Sequence, residues 1–560
     1  MRFSNQNRNK YIEELSSENF DVLIIGGGIT GAGIAFDAAL RGMKVGLVEM
    51  QDFAAGTSSR STKLIHGGLR YLKQFEMGLV AEVGKEREIV YKNGPHVTTP
   101  QWMLLPIYKD TEYGLYSTSI GLKIYDYLAR VKMNERRKML SRQECLEKSP
   151  HLRRQGLLGG GYYVEYRTDD ARLTIEVLKA AHSNGAILLN YMKVESFQYN
   201  GSGKINGATV MDQLTGKTYF ISSKMVVNAT GPWVDIICER DGSSKEKNLQ
   251  LTKGAHLVFD QSVFPLEQAV YFDTPDGRMV FAIPREGKTY VGTTDTFYNE
   301  NPISPMVTRE DRGYLLKYIN YMFPNLMLTD KNIESSWAGV RPLLLEEGKE
   351  PSEISRRDEI WESHTGLITI AGGKLTGYRK MAEMVVDLIS QRLKHRTFKP
   401  CETAKTPISG GDVGEASQFQ AFVSRKSLEG VKVGLSMDEA KELASTYGSN
   451  VTNLFQYIED NKGKNASLPD ILRAKLQYAL DHEMIVTPLD FFNRRTGFLY
   501  FNLSLVEKYQ TGVIQYMADY FQWNEDRMHR YTEELNLAIK NAQVTIQNQL
   551  SQLDKKEEIN

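Results

Sequence analysis

The feature that most constrains the fold is the run VLIIGGGITGAGIAFDAALRGMKVGLVE, residues 22–49. An apolar strand, Val22–Ile25, leads into Gly26-x-Gly28-x-x-Gly31. Gly26 permits a tight turn, and Gly28 lets the backbone approach a pyrophosphate. Gly31, with Ala35, lets the following helix pack closely on the strand. The unpaired N–H groups at the start of that helix suit phosphate oxygens. A second strand closes the unit and ends in Glu49, placed to accept a ribose 2′-hydroxyl and to repel a 2′-phosphate. A glycine triplet alone would say little. Strand, helix, second strand and terminal acid in this order specify a βαβ unit for the ADP half of a dinucleotide.

Which dinucleotide is decided further along the chain. Glycine turns follow strands again at NATGPW (228–233) and AGGKLTGYRK (371–380). Three such turns spread over 380 residues suit a long, extended cofactor, FAD, gripped along its length. Strands are expected at 21–26, 44–49, 224–230, 256–259 and 367–372, and a hairpin over 279–295 that turns at Glu286-Gly287. Helices are expected over 173–181 and 378–393.

At 560 residues the chain is too long for one core. Strands and helices alternate to about residue 400, and PISGGD (407–412) then reads as a linker. Beyond it the apolar spacing turns helical, as in Ile471, Leu472, Leu476, Ala479, Leu480 and in Met528, Tyr531, Leu535, Ala538, Ala542, Ile546. The expected organisation is a polar lead (1–20), an α/β FAD-binding domain interleaved with a substrate domain (21–405), a C-terminal helical domain (410–550) and a charged tail (551–560).

Lys+Arg and Asp+Glu both number 69, so the net charge is zero. That balance excludes the basic footprint of a nucleic-acid binder and offers no repulsion against a homodimer. Cys145, Cys238 and Cys401 are far apart and form no C-x-x-C. They suit a reducing compartment, and no His/Cys cluster has zinc spacing, so no metal is expected. The first twenty residues lack the apolar core of a secretory signal. The most apolar stretch, 22–40, is glycine-rich and broken by Asp37, which argues against a membrane span. The expected location is cytoplasmic, with any membrane contact peripheral.

The runs GTSSRSTKLIHGGLRYL (56–72), DDARL (169–173), NATGPW, LTKGAHLVF (251–259), GTTD (292–295), GVRPL (339–343), ISRRD (354–358) and GGKLTGYRK (372–380) occur in that order. Together they resemble the FAD-dependent sn-glycerol-3-phosphate dehydrogenases over residues 21–380, and YALDHE (478–483) resembles that family's helical cap. The resemblance implies a glutathione-reductase-like FAD domain with a substrate domain on a mainly antiparallel sheet. It implies oxidation of glycerol 3-phosphate to dihydroxyacetone phosphate, with electrons passed through FAD to membrane quinone at the inner face of the cell membrane. No D-x-[DN]-x-[DN]-G loop marks the EF-hands of mitochondrial relatives, so a bacterial respiratory enzyme fits best.

A phosphate dianion needs preorganised cations, and arginine offers a planar fork. Arg70, Arg341, Arg356 and Lys374 lie in the family runs, and Tyr71 adds a hydroxyl. Removing hydride from a secondary alcohol also requires a base. His256 is favoured over His66, with Arg341 beside them. For FAD, the segment from Asp21 through Gly26, Gly27, Gly28, Ile29, Thr30 and Gly31 takes the pyrophosphate, and Glu49 takes the ribose. By resemblance, Thr57, Ser58 and Ser59 line the phosphate–ribitol region. Gly67, Gly68 and Leu69 run beside the ring system, and Val194 meets adenine. Ala229, Thr230 and Gly231 form the second turn, and Gly373, Lys374, Leu375 and Thr376 close the ribityl end. Residues 99–138 mix Trp102, Tyr108, Tyr113, Tyr116, Tyr125 and Tyr127 with Arg136, Arg137 and Lys138, a composition suited to a lipid headgroup region. Two rival readings are an oxidase of the same substrate that uses oxygen, and a non-catalytic FAD-binding interaction module.

Overall fold

The computed structural model describes residues 2–66, 77–110, 114–129, 131, 133–243, 247–346, 348, 354, 357–394, 396–462 and 467–543. Strand Asn19–Ile25 lies at the centre of an eight-stranded sheet. Thr218–Asn228 and Leu367–Gly372 flank it on one side, Val45–Val48 and Ile187–Leu189 on the other, and these five strands run parallel. Burial on both faces explains the apolar runs Val22–Ile25 in the central strand and Met225–Val227 beside it. Helices Ile29–Leu40, Asp170–Ser183 and Tyr378–Arg392 pack side by side along the sheet. Parallel neighbours put all their C-terminal ends on one edge. The three glycine turns, after Ile25, after Asn228 and at Gly372, therefore stand together there.

The second sheet has ten strands and is antiparallel except where Ala269–Asp273 meets Thr98–Tyr108. Leu249–Asp260 pairs with both Ile333–Leu344 and Lys288–Gly292. The hairpin turns at Glu286-Gly287, both with positive φ, 51° and 78°, a type I′ geometry that matches strand twist. One face of this sheet packs on helix Arg309–Met322. Its other face contributes Val258, Tyr290 and Trp337 to a core shared with the C-terminal helices through Leu476, Phe491, Phe501 and Leu535.

The C-terminal helical domain runs from Phe419–Lys432 to Glu525–Ala542 and includes a π-helical turn, Asp490–Arg495. Charge meets charge where it joins the first sheet. Arg172 lies against the Glu483 carboxylate, reaches Glu176 at 3.2 Å, and donates to the Arg495 carbonyl at 2.6 Å. All four side chains are buried.

Two regions differ from the sequence expectation. The polar lead contains a helix, Arg8–Ser17, which buries Tyr11, Ile12 and Leu15, while Phe3 is buried just ahead of it. Six apolar residues among the first twenty were too few to outweigh the polar composition. In the 99–138 stretch, Tyr108 and Tyr125 are core residues and Trp102 stacks on Tyr162 at 4.5 Å. Only Tyr116 and Tyr127 of that aromatic set are strongly exposed; Tyr113 and the expected helix residue Ile546 lie outside the described residues.

Removing Arg172 would leave Glu176 and Glu483 as buried carboxylates short of a cation. Loss of one partner from a buried pair costs roughly 3–5 kcal/mol. Arg172→Leu is expected to lower the unfolding free energy measured by urea titration by that amount, and an unchanged value would show that Lys179, 2.8 Å from Glu176, suffices alone.

Candidate active site

A cleft of about 730 Å³ opens along the edge where the three turns meet and continues between the two sheets. That volume lies within the usual range for cofactor sites, about 300–1,000 Å³. Gly26, Gly28, Ile29, Thr30, Glu49, Thr57, Ser58, Val194, Ala229, Thr230, Gly231, Gly373, Lys374 and Leu375 all border it, as do His66, His256 and Arg341.

At the dinucleotide end, helix Ile29–Leu40 starts without a side-chain cap on Gly28, although Ser58 Oγ accepts from the Ile29 N–H at 2.9 Å. A helix N-terminus left facing a cleft is suited to an anion. A Cβ on Gly31 would collide with the Gly26 carbonyl, so the helix can lie this close to the strand only with glycine there. Glu49 is half-buried, and its two oxygens accept from the N–H groups of Gly27 at 2.7 Å and Gln51 at 2.8 Å. Burial raises its pKa, against the pull of those two donors. These residues fit the ADP half of FAD.

Several expected ligands have other tasks. Asp21 is at the opposite end of its strand, where its carboxylate accepts from the Lys44 N–H, Lys224 and Arg396; it cannot reach the cleft. Ser59 is buried and turned away from it, its carbonyl accepting from Lys63 at 3.0 Å. Gly27 and Gly31 shape the turn from behind. The Thr376 hydroxyl accepts from the His66 N–H and donates to the His66 carbonyl, both at 3.2 Å, and so fixes the backbone of that histidine. The Val194 carbonyl is taken by the Arg240 guanidinium. Gly67, Gly68, Leu69, Arg70, Tyr71 and Arg356 lie outside the described residues.

At the other end, side-chain alternation brings the chemistry onto one sheet face. His256 pairs with Trp337 and Gly292, Gly254 with Gly339, and Thr252 with Arg341. The Arg341 guanidinium donates to Asp295 at 3.1 Å and Thr293 at 3.0 Å and lies over Gly254. His256 lies over Gly292, and the Arg60 carbonyl lies over Gly339. A methyl group on any of the three glycines would occupy the space these groups use.

His256 is buried, stacked on Trp337 at 4.6 Å and 8°, with Nε2 3.0 Å from Thr62 Oγ1. Burial lowers its pKa well below the ordinary imidazole range, and the Arg341 and Lys63 cations lower it further. The ring is therefore neutral throughout the neutral pH range. Thr62, Trp337, Arg60 and the three glycines were missed in the sequence. The period of two in Trp337-x-Gly339-x-Arg341 was the signal that could have found them.

A glycine turn shaped for an ADP group, a cleft that runs from it between the two sheets and a buried histidine beside cations fit a flavin-dependent oxidoreductase. The chain belongs to the FAD-dependent oxidoreductase family, whose model matches residues 21–379. Residues 401–528 match the C-terminal domain of alpha-glycerophosphate oxidase. Within that family its relatives are the aerobic glycerol-3-phosphate dehydrogenases. It is 59% identical to that of Bacillus subtilis over 551 residues, 98% of this chain and 99% of the relative. It is 57% identical over 547 residues to that of Staphylococcus aureus strain USA300, covering 97% and 98%. The solved glycerol-3-phosphate dehydrogenase of Bacillus halodurans, complexed with FAD, superposes with a TM-score of 0.85 at 51% identity, covering 97% of this chain and 99% of that one. The L-alpha-glycerophosphate oxidase of Mycoplasma pneumoniae, at 20% identity and a TM-score of 0.54, shares the fold. Among the described residues no cluster could hold a metal, and no helix is long and apolar enough to cross a membrane.

Gly31→Val is expected to lower FAD occupancy, because a Cβ there forces the helix away from the Gly26 carbonyl and displaces its N-terminus. Flavin absorbance per chain after dialysis measures it. Full flavin occupancy at wild-type affinity would mean that the helix can shift without harm to the site.

Proposed function

We propose that the protein oxidises sn-glycerol 3-phosphate to dihydroxyacetone phosphate. The FAD that the glycine turns and Glu49 would hold would supply the hydride acceptor for the secondary carbon and the route for its electrons to a membrane quinone. The observation that carries this reading is the presence of Arg341, Lys374 and His256 on one cleft with the dinucleotide turn. Two cations suit a phosphate dianion, and a neutral imidazole suits a hydroxyl that must lose its proton.

Each residue has a defined task. Asp295 and Thr293 fix the plane of the Arg341 guanidinium, so its orientation is set before the phosphate arrives. Lys374 adds a second positive charge from the third turn. His256 Nε2 accepts the hydroxyl proton by relay, the Thr62 hydroxyl giving its own proton to the ring as Oγ1 takes that of the substrate. Thr62, which also borders the cleft, and Trp337 hold the ring in one plane. Arg70, Tyr71 and Arg356, expected from the sequence to bind the phosphate, lie outside the described residues.

Anaerobic mixing with glycerol 3-phosphate is expected to bleach the flavin rapidly in the wild type and 10²–10⁴-fold more slowly in His256→Asn, the range for loss of a general base. An unchanged rate would move the proton to His66. Peroxide formed under air without quinone would replace the quinone reading with an oxidase. No bleaching at stoichiometric substrate would support a binding module instead.

The quinone reading requires contact with a membrane, and we place it on helix Leu115–Leu128. Tyr116, Ile120, Lys123 and Tyr127 share one face, Tyr116 and Tyr127 being 81% and 83% exposed. Met133, Arg136 and Lys138 are exposed nearby in sequence. Aromatic and aliphatic groups beside basic ones suit an anionic headgroup layer. Tyr116→Asp with Tyr127→Asp is expected to reduce co-sedimentation with phosphatidylglycerol vesicles at least tenfold while bleaching by substrate is retained. Undiminished binding would exclude this helix.

A further inference from the structure

Among the described residues the C-terminal helical domain contributes none that border the cleft, yet a chain of buried contacts connects the two. The connection begins at Gly27, the middle glycine of the dinucleotide turn. The loop that follows strand Val45–Val48 clasps Gly27 from both sides. The Gly27 N–H donates to Glu49 Oε2 at 2.7 Å, and the Gly27 carbonyl accepts from the Ala54 N–H at 3.0 Å. Phe53, fully buried, closes the space beside it. The position of the turn is therefore the position of this loop.

Asp52 is the loop's anchor, and its partners come mainly from the far end of the sequence. Arg495 donates to both of its oxygens, at 2.7 and 2.9 Å, and Arg494 Nε donates to Oδ2. Asn190 Nδ2 donates to Oδ1 at 3.0 Å and also to the Met484 carbonyl at 2.9 Å. The arginines are held in turn. Arg494 reaches Asp490 at 2.6 Å, and Arg495 reaches the Glu483 carbonyl at 2.7 Å. Asp52, Arg494 and Arg495 are all buried. Arg494 and Arg495 close the π-helical turn, a form frequent at functional sites.

We infer that the C-terminal domain positions the FAD-binding turn, with Arg494 and Arg495 holding Asp52 and, through it, the loop that carries Glu49 and clasps Gly27. Asp52, Arg494 and Arg495 are positioning residues and touch no ligand. The inference rests on the reading that this turn and Glu49 bind the ADP half of FAD. Its consequence is that flavin affinity depends on a contact with the helical domain, some 440 residues along the chain.

The test titrates FAD into the full-length chain after removal of its flavin and compares Asp52→Asn, Glu49→Gln and the double variant. Asp52→Asn and Glu49→Gln are each expected to raise the Kd for FAD at least tenfold. The double variant is expected to bind no more than about threefold worse than Glu49→Gln alone, because residues acting through one contact are not additive. A wild-type Kd in Asp52→Asn overturns the inference. Multiplying effects in the double variant also overturn it, since Asp52 would then act apart from Glu49. If Glu49→Gln binds FAD normally while Asp52→Asn does not, the ribose assignment fails and the clasp on Gly27 stands. Should Asp52→Asn fail to fold, Arg494→Lys, which keeps the charge and loses the Nε contact, is expected to weaken FAD at least threefold, and an unchanged Kd there overturns the inference as well.

Discussion

The structure turns on a carboxylate sealed from water. Asp52 accepts four hydrogen bonds from Arg494, Arg495 and Asn190. Taking such a group out of water is costly, and a buried ion network often adds no more stability than well-packed apolar groups of the same volume would. Burial alone would raise the Asp52 pKa; Arg495 and Arg494 outweigh it and leave the group ionised. What the network provides is a unique arrangement, because no other docking of the C-terminal helices would satisfy these charges. Arg8 extends it by donating to the Asn190 carbonyl and to Asp212, so the N-terminal helix is fixed to the same place.

The second sheet solves a different problem, that of making room. A strand pair normally fills its face with side chains at every second residue. Here Gly254, Gly292 and Gly339 interrupt that filling beside His256, Arg341 and Arg60. The cavity is thus built by omission, and the groups beside it lie flat against backbone. Thr57 ties the two sheets together by donating to the Val340 carbonyl at 2.6 Å. The loop after the dinucleotide strand therefore also fixes the strand that carries Arg341.

This division explains what could be read from the chain itself. The turn at Gly26–Gly31, its strands and its helix are local, and a periodicity of two or 3.6 residues reports them directly. The C-terminal helices were equally plain from their spacing. Their docking was not, because Asp52 and Arg495 are separated by more than 440 residues and an isolated Asp or Arg–Arg pair looks like any surface charge. Asp21 looked like part of the motif through adjacency, but strand direction puts it at the wrong edge. Gly254, Gly292 and Gly339 sat inside recognisable runs, but their role depends on cross-strand register, which no single strand reveals. Tyr108 and Tyr125 show the converse, since composition cannot separate a buried tyrosine from one facing a headgroup layer.

The electrostatics of His256 follow from the same geometry. Burial disfavours imidazolium, and two nearby cations disfavour it further. The Arg341 cation is therefore useful twice under the proposed reaction. It attracts the phosphate, and until the phosphate arrives it keeps the histidine neutral and able to take a proton. Asp295 moderates that field by sharing the guanidinium, but it lies on the side of Arg341 and not against the ring, so His256 has no carboxylate partner among its described contacts. A carboxylate on Nδ1 would raise the imidazole pKa and favour the protonated ring. Stacking on Trp337 and a hydroxyl on Nε2 orient the ring without that charge, which is the arrangement a proton acceptor needs and a proton donor does not.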